Sequence, residues 1–279
     1  MTESVEERPL IEIAPSSGWR ALDLAELFQF RELLGVLVWR DVKVRYRQTL
    51  LGVIWVVAQP LLTMLIFTVL FNRVAKIQAG GNVPYALFVM AALVPWTFFS
   101  TAVSAASNSL IGSAHLISKV YFPRMIVPAS SVAGGLVDMA VTLAIVLVMC
   151  AWYGTPLSPM LLLLPLVAVV TTFFAFGCGL WLSALNVEYR DIRVVVPFLL
   201  QIWMYLTPVA YPASVLPAKF RFLVDLNPMT GLIEAFRGSI LSTPVPWGAV
   251  AYSVACTAVI VVTGAFYFRR VERQFADVL

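Results

Sequence analysis

A single acidic side chain, Asp138, lies within a long uncharged stretch, because residues 125–187 hold no other Asp, Glu, Lys or Arg. If this stretch crosses a membrane, an ionisable group there is costly to bury and is a candidate functional residue. Asp138 could carry a proton in ion-coupled transport, or it could accept a helix-packing hydrogen bond from a Ser, Thr or backbone donor. The small residues at 130–135 favour close helix packing, and the sequence leaves both roles open.

Side chains that usually carry out catalysis are scarce. The chain has one histidine, His115, and it lacks a G-x-x-x-x-G-K phosphate loop, an H-E-x-x-H metal motif and a nucleophile elbow. We therefore expect no enzyme active site, no cofactor, no metal site and no nucleic-acid partner for this chain. If the protein moves a substrate against its concentration gradient, the energy comes from an ion gradient or from a partner protein.

Aromatic side chains recur within and at the ends of the apolar stretches. Trp and Tyr commonly form a belt at the membrane interface, and this interpretation suits Trp247. Aromatic faces also stack against the apolar faces of sugar rings, so some of these residues could line a path for a sliding glycan. The candidates for such channel aromatics are Trp55, Trp96, Phe98, Phe99, Trp203 and Tyr205.

The composition excludes a water-soluble globule. Of 279 residues, 61% are hydrophobic and 12% are charged, and the mean hydropathy is +0.89, whereas soluble domains are about one quarter charged. A membrane-spanning helix needs about 20 apolar residues. The charge-free stretches therefore predict an all-α integral membrane protein with six transmembrane helices, over residues 49–71, 84–106, 128–150, 160–183, 195–211 and 247–268.

The basic residues predict the orientation of these helices. Fourteen of the 19 Lys and Arg residues fall in the N-terminal segment, in the C-terminal segment or in the connections on the same side of the membrane. Lys and Arg are enriched in cytoplasmic connections. We therefore expect both termini to be cytoplasmic, which an even number of spans allows.

The chain divides into three predicted parts. The polar residues 1–18 form a cytoplasmic tail. Residues 19–48 hold an amphipathic helix over 20–39, which lies in the membrane interface, and a basic juxtamembrane segment that follows it. Residues 49–279 form the six-helix transmembrane domain.

Two connections carry more apolar residues than plain loops do. Residues 107–127 mix apolar side chains with Ser, His and Lys, which predicts a short amphipathic helix whose apolar side is covered by lipid headgroups or by a groove on a soluble partner. Residues 212–246 are rich in proline and hold two apolar stretches. Short re-entrant helices explain this pattern better than an external cap does, provided that protein or water satisfies their backbone groups.

Several sequence blocks in the same order make the chain resemble the ABC-2 type membrane subunits of polysaccharide exporters, which include the O-antigen and teichoic acid permeases. The likeness covers nearly the whole chain after residue 18. The blocks are RELLGVLVWRDVKVRYRQTLLGVIWVVAQPLLTMLIFTVLF at 31–71, PYALFVMAALVPWTFF at 84–99, LISKVYFPRMIVP at 116–128, NVEYRDIRVVVPFLLQIWMYLTPVAYP at 186–212, LNPMTGLIEAFR at 226–237 and the C-terminal RQFADVL.

This resemblance implies a homodimer in the bacterial inner membrane, with two copies of a separate cytoplasmic ABC ATPase that binds ATP and Mg. It implies a coupling helix at 108–122 that docks into the ATPase through Leu116, Ser118, Lys119, Tyr121 and Phe122. It also implies that 212–241 forms the re-entrant helices of a periplasmic gate, whose candidate residues are Pro212, Pro217, Asn227 and Pro228.

The resemblance further implies that the substrate is a polysaccharide on undecaprenyl diphosphate. O-antigen is the first candidate, and teichoic acid, capsule, a drug or a lipid are alternatives. A diphosphate is costly to place in hydrocarbon, and Arg pairs well with phosphate oxygens. A basic cluster lies where the headgroup would arrive from the cytoplasm, although the positive-inside bias or contact with anionic lipids explains it equally well. Its members are Arg40, Lys43, Arg45 and Arg47.

Overall fold

The computed structural model describes residues 29–47, 52–79, 83–156 and 159–272, and within these ranges the regular elements are helices, with no strand. A π-helical stretch at Thr68–Val74 continues the helix Gly52–Phe67, and a short 3-10 helix at Pro159–Leu163 leads into the helix Leu164–Glu188. The helices are α1 Arg31–Arg47, α2 Gly52–Phe67, α3 Tyr85–Gly112, α4 Ala114–Ile117, α5 Ile126–Trp152, α6 Leu164–Glu188, α7 Ile192–Leu206, α8 Arg221–Asp225, α9 Pro228–Leu241 and α10 Trp247–Glu272.

Among the described residues, five helical stretches are long and apolar enough to cross a membrane: Ile54–Val74, Tyr85–Gly112, Ile126–Trp152, Pro159–Glu188 and Trp247–Glu272. They correspond to five of the six predicted spans, so the all-helical membrane architecture is confirmed. The predicted span at 195–211 is instead the 15-residue helix α7, which is about 22 Å long and shorter than a bilayer core of about 30 Å. It ends at Leu206, shortly before Pro208, which lacks a backbone N–H.

Helix α3 forms the centre of the fold. In α3, 78% of an apolar 18-residue stretch is buried, against 11% of the corresponding stretch of Ile54–Val74. The helix packs most extensively against α5 and α6, and it also contacts α2, α7 and α9. Its sequence is apolar on every face, as expected for a helix surrounded by other helices.

Glycines bring α6, α9 and α10 into close contact. A Cβ atom on Gly177 of α6 would lie 2.9 Å from the backbone N of Val261, and one on Gly264 would lie 2.8 Å from the Gly177 carbonyl oxygen. A Cβ atom on Gly231 of α9 would overlap the carbonyl oxygen of Ala249. Glycine at these positions therefore serves helix packing, since small residues allow helix backbones to approach.

Helix α9 occupies the predicted re-entrant region, and twelve of its 14 residues are buried. It begins with Asn227 as the N-cap and Pro228 in the first turn, which is the usual order at a helix start. It ends at Ser242, whose φ of 58° is left-handed. Contacts with α3, α6 and α10 surround it. That α9 re-enters the membrane stays a prediction.

In contrast, α2 and α7 lie at the edge of the fold. The fully buried residues of α7 are Val196 and Leu200. Apolar side chains that are at least half exposed follow one another along both helices. They include Ile54, Trp55, Leu62, Leu65 and Ile66 on α2, and Val194, Phe198, Leu199 and Tyr205 on α7.

Two predicted helices have different limits in the structure. Helix α1 runs from Arg31 to Arg47 and takes in the basic segment, while the start of the predicted 20–39 helix and the tail at 1–18 lie outside the described residues. The location of α1 in the membrane interface stays a prediction. A single helix over 108–122 is wrong, because α3 continues to Gly112 and the short helix α4 covers Ala114–Ile117.

Candidate functional site

Helix α1 brings two side chains to Asp138 on α5. Arg45 donates from its guanidinium to one carboxylate oxygen, and the Tyr46 hydroxyl donates to the other. The sequence had suggested Ser, Thr or backbone donors, so the identity of these partners is a correction. Hydrogen bonds from charged donors to a carboxylate are stronger than neutral ones. Asp138, whose side chain is 18% exposed, therefore has both carboxylate oxygens engaged by α1.

The phenol of Tyr46 stays protonated in this arrangement. Burial and the hydrogen bond to Asp138 raise the pKa of Tyr46 to about 12. The phenol therefore remains a hydrogen-bond donor over the whole physiological pH range, and α1 stays linked to α5 by a charged and a neutral donor.

The predicted basic cluster does not form one open patch. Arg45 faces α5, whereas Arg40 lies at the surface and pairs with the neighbouring Asp41 at 2.8 Å. The Ser130 hydroxyl, on α5, lies 3.4 Å from the second oxygen of Asp41. Lys43 is exposed, and Arg47 is the last residue of α1. Arg40 and Lys43 are thus the accessible cations of this cluster among the side chains that the structure describes.

The aromatic residues form a packed cluster inside the fold. The Phe99 ring stacks on Phe174 with a centroid distance of 5.2 Å and meets Trp203 edge-on at 5.2 Å, and the Trp96 ring lies 5.8 Å from Phe99. Such pairs stabilise a core beyond the burial of their area. Phe174 belongs to this cluster, although the sequence analysis did not single it out.

Three of the predicted channel aromatics are therefore core residues. Trp96, Phe98 and Phe99 are at most 3% exposed, so the prediction that they line a path is wrong for this conformation. Trp203 is half-buried, and Trp55 and Tyr205 are more than half exposed, on α2 and α7. A channel role for the two exposed residues stays a prediction.

Asn227 connects the end of α7 to the start of α9. Its Oδ1 accepts hydrogen bonds from the Met229 backbone N–H at 3.0 Å and from the Trp203 indole at 2.9 Å, and its Nδ2 donates to the Thr207 hydroxyl at 2.8 Å. Pro228 follows directly in the first turn of α9. Among the other gate candidates, Pro212 is half-buried and Pro217 is exposed. Their role in a gate stays a prediction.

Arg237 on α9 is a site residue that was not among the candidates predicted from the sequence. The side chain is 1% exposed. Its guanidinium donates to Glu234 at 2.6 Å and to the carbonyl oxygens of Pro208 at 3.0 Å and Val209 at 3.3 Å, and it lies 3.6 Å from the centroid of the Phe88 ring. The available signal was an Arg within an apolar stretch, three residues after a Glu, which is typical of a paired charge.

The predicted coupling segment divides into exposed and buried parts. Ser118 and Lys119 are exposed, Tyr121 is 71% exposed, and Leu116 is half-buried. Phe122 is 5% exposed and packs in a cluster with Leu110, Ile117, Met125 and Phe268. The Phe122 ring therefore belongs to the core of this chain, contrary to the prediction that it contacts a partner. Docking of the exposed residues stays a prediction.

Comparisons with known proteins agree with this architecture. The family model described as ABC-2 type transporter matches residues 32–241. The O-antigen export system permease protein RfbA of Myxococcus xanthus is 32% identical over 90% of this chain and 97% of its own length, and its namesake in Klebsiella pneumoniae is 29% identical over 89% and 95%. The polysialic acid transport protein KpsM of Escherichia coli is 21% identical over 84% and 91%.

The family match spans more than half of the chain and includes α1, the central helix α3, the Asp138 pairing and the buried Arg237. The chain therefore belongs to the ABC-2 type transporter family of membrane proteins.

Proposed function

We propose that this chain is the membrane-spanning subunit of an ATP-driven exporter that moves lipid-linked polysaccharide out of the cytoplasm. The observation that carries this proposal is the likeness, over nearly the full length of both chains, to relatives named as O-antigen export permeases. Relatives named for capsule export, such as CtrC of Neisseria meningitidis, are 23–24% identical. The higher identity of the O-antigen permeases makes O-antigen the first candidate substrate.

A second copy of this chain covers the exposed apolar faces of α2 and α7 in our proposal. In a membrane, apolar faces of this kind meet either lipid or protein, and α2 and α7, at the edge of the fold, are available for contact with a second copy. Two subunits that face each other along these helices enclose a path between them. The sixth crossing consists of α7 together with the buried residues 207–210 that follow it, and α9 is the re-entrant helix beside it.

The energy comes from a separate ATPase, two copies of which bind the cytoplasmic side of the dimer. The exposed segment Ser118–Tyr121 offers apolar and polar side chains together, including Val120 at 52% and Tyr121 at 71% exposure. Such a short ridge suits a groove on a soluble partner. Both termini lie on this side.

The diphosphate of the substrate meets the exposed cations of α1. Arg40 and Lys43 are accessible, and Arg47 lies one turn after Lys43 on the same helix. Arg45 has a different role, because it holds α1 against α5 through Asp138. The headgroup thus enters beside a helix that is fixed to the bundle.

Substrate-stimulated ATP hydrolysis tests this proposal. The chain is purified with its ATPase and reconstituted in liposomes, and hydrolysis is measured with undecaprenyl diphosphate-linked O-antigen, a capsule glycan, a teichoic acid precursor or undecaprenyl diphosphate alone. We expect the O-antigen substrate to give the largest stimulation. If none of the glycans changes the rate of ATP hydrolysis, the proposal is contradicted. If only the capsule glycan or only the teichoic acid precursor raises the rate, that glycan takes the place of O-antigen as the proposed substrate.

A further inference from the structure

Side chains that follow α7 donate hydrogen bonds to carbonyl groups at its C-terminal end. Within the last turn, the Thr207 hydroxyl donates to the Trp203 carbonyl at 2.7 Å and the Tyr211 hydroxyl donates to the Tyr205 carbonyl at 3.0 Å. Helix ends leave several carbonyl groups without a partner in the helix. Here, hydroxyl groups that follow α7 supply two of the missing donors.

Beyond the helix end, two buried side chains bind the next three carbonyl groups. The Arg237 guanidinium donates to the carbonyls of Pro208 and Val209, and the Tyr85 hydroxyl, from the first turn of α3, donates to that of Ala210. An unpaired buried carbonyl destabilises a fold. The segment 207–210, which we call the α7 anchor, is therefore tied to α9 and to α3.

Burial differs sharply between the α7 anchor and the helix that precedes it. Thr207 and Val209 are fully buried and Ala210 is 5% exposed, whereas Phe198, Leu199 and Tyr205 on α7 are each more than half exposed. Within this chain, α7 is thus fixed at its C-terminal end and has few buried residues along its length, where the second copy proposed above meets it. An element held at one end can tilt about that end when the contacts between the two subunits change.

We propose that Arg237 is a positioning residue that keeps the α7 anchor fixed, so that α7 swings about this point during transport. The proposal deepens the proposed export function and rests on it for the step in which α7 moves. The tight glycine contacts between α9 and α10 give Arg237 a rigid base. Because the anchor is fixed at the outer end of α7, a tilt of the helix displaces its cytoplasmic end most and leaves the outer end folded instead of unwinding it.

The chemistry of this position calls for arginine. Its Nη2 reaches the Pro208 and Val209 carbonyls, its Nη1 reaches Glu234, and its Nε lies 3.3 Å from the Phe88 carbonyl. A guanidinium offers five donors in a fixed plane, whereas an ammonium group is a compact point charge. The carboxylate of Glu234 and the face of the Phe88 ring balance the buried charge. A lysine, with three donors for these four acceptors, would leave at least one of them without a donor.

Hydrogen exchange measured on the complete transporter tests the anchor. Tyr85→Phe removes one hydroxyl group and keeps the ring, and Arg237→Lys keeps the charge. The control is Tyr252→Phe, which removes a hydroxyl that donates to the Leu226 carbonyl at 3.2 Å, away from the anchor. Peptides that cover 203–211 report the anchor, and peptides from α9 and α10 report the rest of the fold.

We expect exchange at the anchor to rise about fivefold in Tyr85→Phe, since one neutral hydrogen bond changes a local opening equilibrium by about this factor. Arg237→Lys has a larger effect, and Tyr252→Phe leaves the anchor unchanged. ATP hydrolysed per glycan exported rises in the two anchor variants. Unchanged anchor exchange in Tyr85→Phe overturns the proposal, and so does an equal rise across α9 and α10, which indicates a merely structural role.

The outcomes separate this inference from the proposed function. If the wild-type transporter exports no polysaccharide, the proposed function fails, while hydrogen exchange still decides whether Arg237 and Tyr85 fix the anchor. If export occurs and the anchor variants keep the wild-type ratio of ATP to glycan, the coupling of the anchor to transport is wrong. If Arg237→Lys fails to assemble, Tyr85→Phe gives the deciding measurement, because it removes a single oxygen atom.

Discussion

The carboxylate of Asp138 on α5 binds the guanidinium of Arg45 on α1, which lies 93 residues earlier in the chain. Asp138 is twelve residues into α5, so this contact lies about 18 Å along that helix from its first residue, Ile126. The end of α1 is therefore fixed to the middle of α5. A movement of α1 relative to the bundle has to break a charged hydrogen bond.

Asp138→Asn should destabilise the subunit. The change leaves the Arg45 charge without its counter-ion at a site where Asp138 is 18% exposed, which costs about 1–3 kcal/mol. We expect a lower melting temperature and faster proteolysis near α1 in a detergent-solubilised sample. Asp41→Asn is the matched control, because Asp41 pairs with the exposed Arg40 and should change stability by less. A larger effect for Asp41→Asn than for Asp138→Asn would show that the α1–α5 link has been misassigned.

Transport should not depend on protonation of Asp138. Its carboxylate is held by Arg45 and Tyr46, which is the arrangement of a structural ion pair. We expect an ionophore that dissipates the proton gradient to leave ATP-driven export unchanged in reconstituted vesicles, while a partner ATPase that cannot hydrolyse ATP abolishes it. Loss of export on adding the ionophore, with ATP still present, would support the proton-coupled alternative.

Lys43→Gln should weaken interaction with the substrate headgroup without altering the fold. Lys43 is exposed on α1, so its removal affects encounter with a diphosphate more than packing. We expect the substrate concentration for half-maximal ATPase stimulation to rise about threefold, consistent with one exposed charge pair, while the maximal rate stays the same. Arg270→Gln, at an exposed position near the end of α10, is the control for general loss of charge. An equal shift in both variants points to membrane electrostatics instead of a local contact.

Tyr121→Ala and Phe122→Ala should fail in different ways. Tyr121 is 71% exposed, so its removal should reduce co-purification of the ATPase and leave the melting temperature of the subunit unchanged. Phe122 is buried, and truncation of a buried Phe costs about 3–5 kcal/mol, so this variant should lower the melting temperature of the subunit itself. Tyr189→Ala, at another exposed tyrosine, serves as the control. If as much ATPase co-purifies with Tyr121→Ala as with the wild type, docking at Ser118–Tyr121 is contradicted.

The helical membrane architecture could be predicted from the sequence because charge-free stretches of sufficient length have one stable solution in a bilayer. Asp138 was recognisable for the same reason, as a lone acid among apolar residues. Its partner was not, since Arg45 and Asp138 are far apart in sequence and their contact depends on how α1 packs. The sequence could not separate exposed cations from paired ones.

The burial of the aromatic residues and of Arg237 could not be predicted from the sequence either. Trp96 and Trp55 are equally plausible as channel residues by type, yet the central position of α3 buries Trp96 and the peripheral position of α2 exposes Trp55. Arg237 stands in the proline-rich connection 212–246, where residue type alone does not separate a surface cation from a buried and paired one. Its burial follows from the packing of α9 against α3 and α10, which is a tertiary effect that no local pattern records.

Vectorial transport in a defined system is the most direct test of the central claim. Liposomes that contain this chain and its ATPase, with the ATPase facing outward, are given ATP and undecaprenyl diphosphate-linked O-antigen, and glycan protected inside the vesicles is measured with an added glycosidase. The account predicts ATP-dependent accumulation of protected glycan, and none when the ATPase is omitted or cannot hydrolyse ATP. Accumulation by this chain alone, or no accumulation with the active ATPase and any lipid-linked glycan, would contradict it.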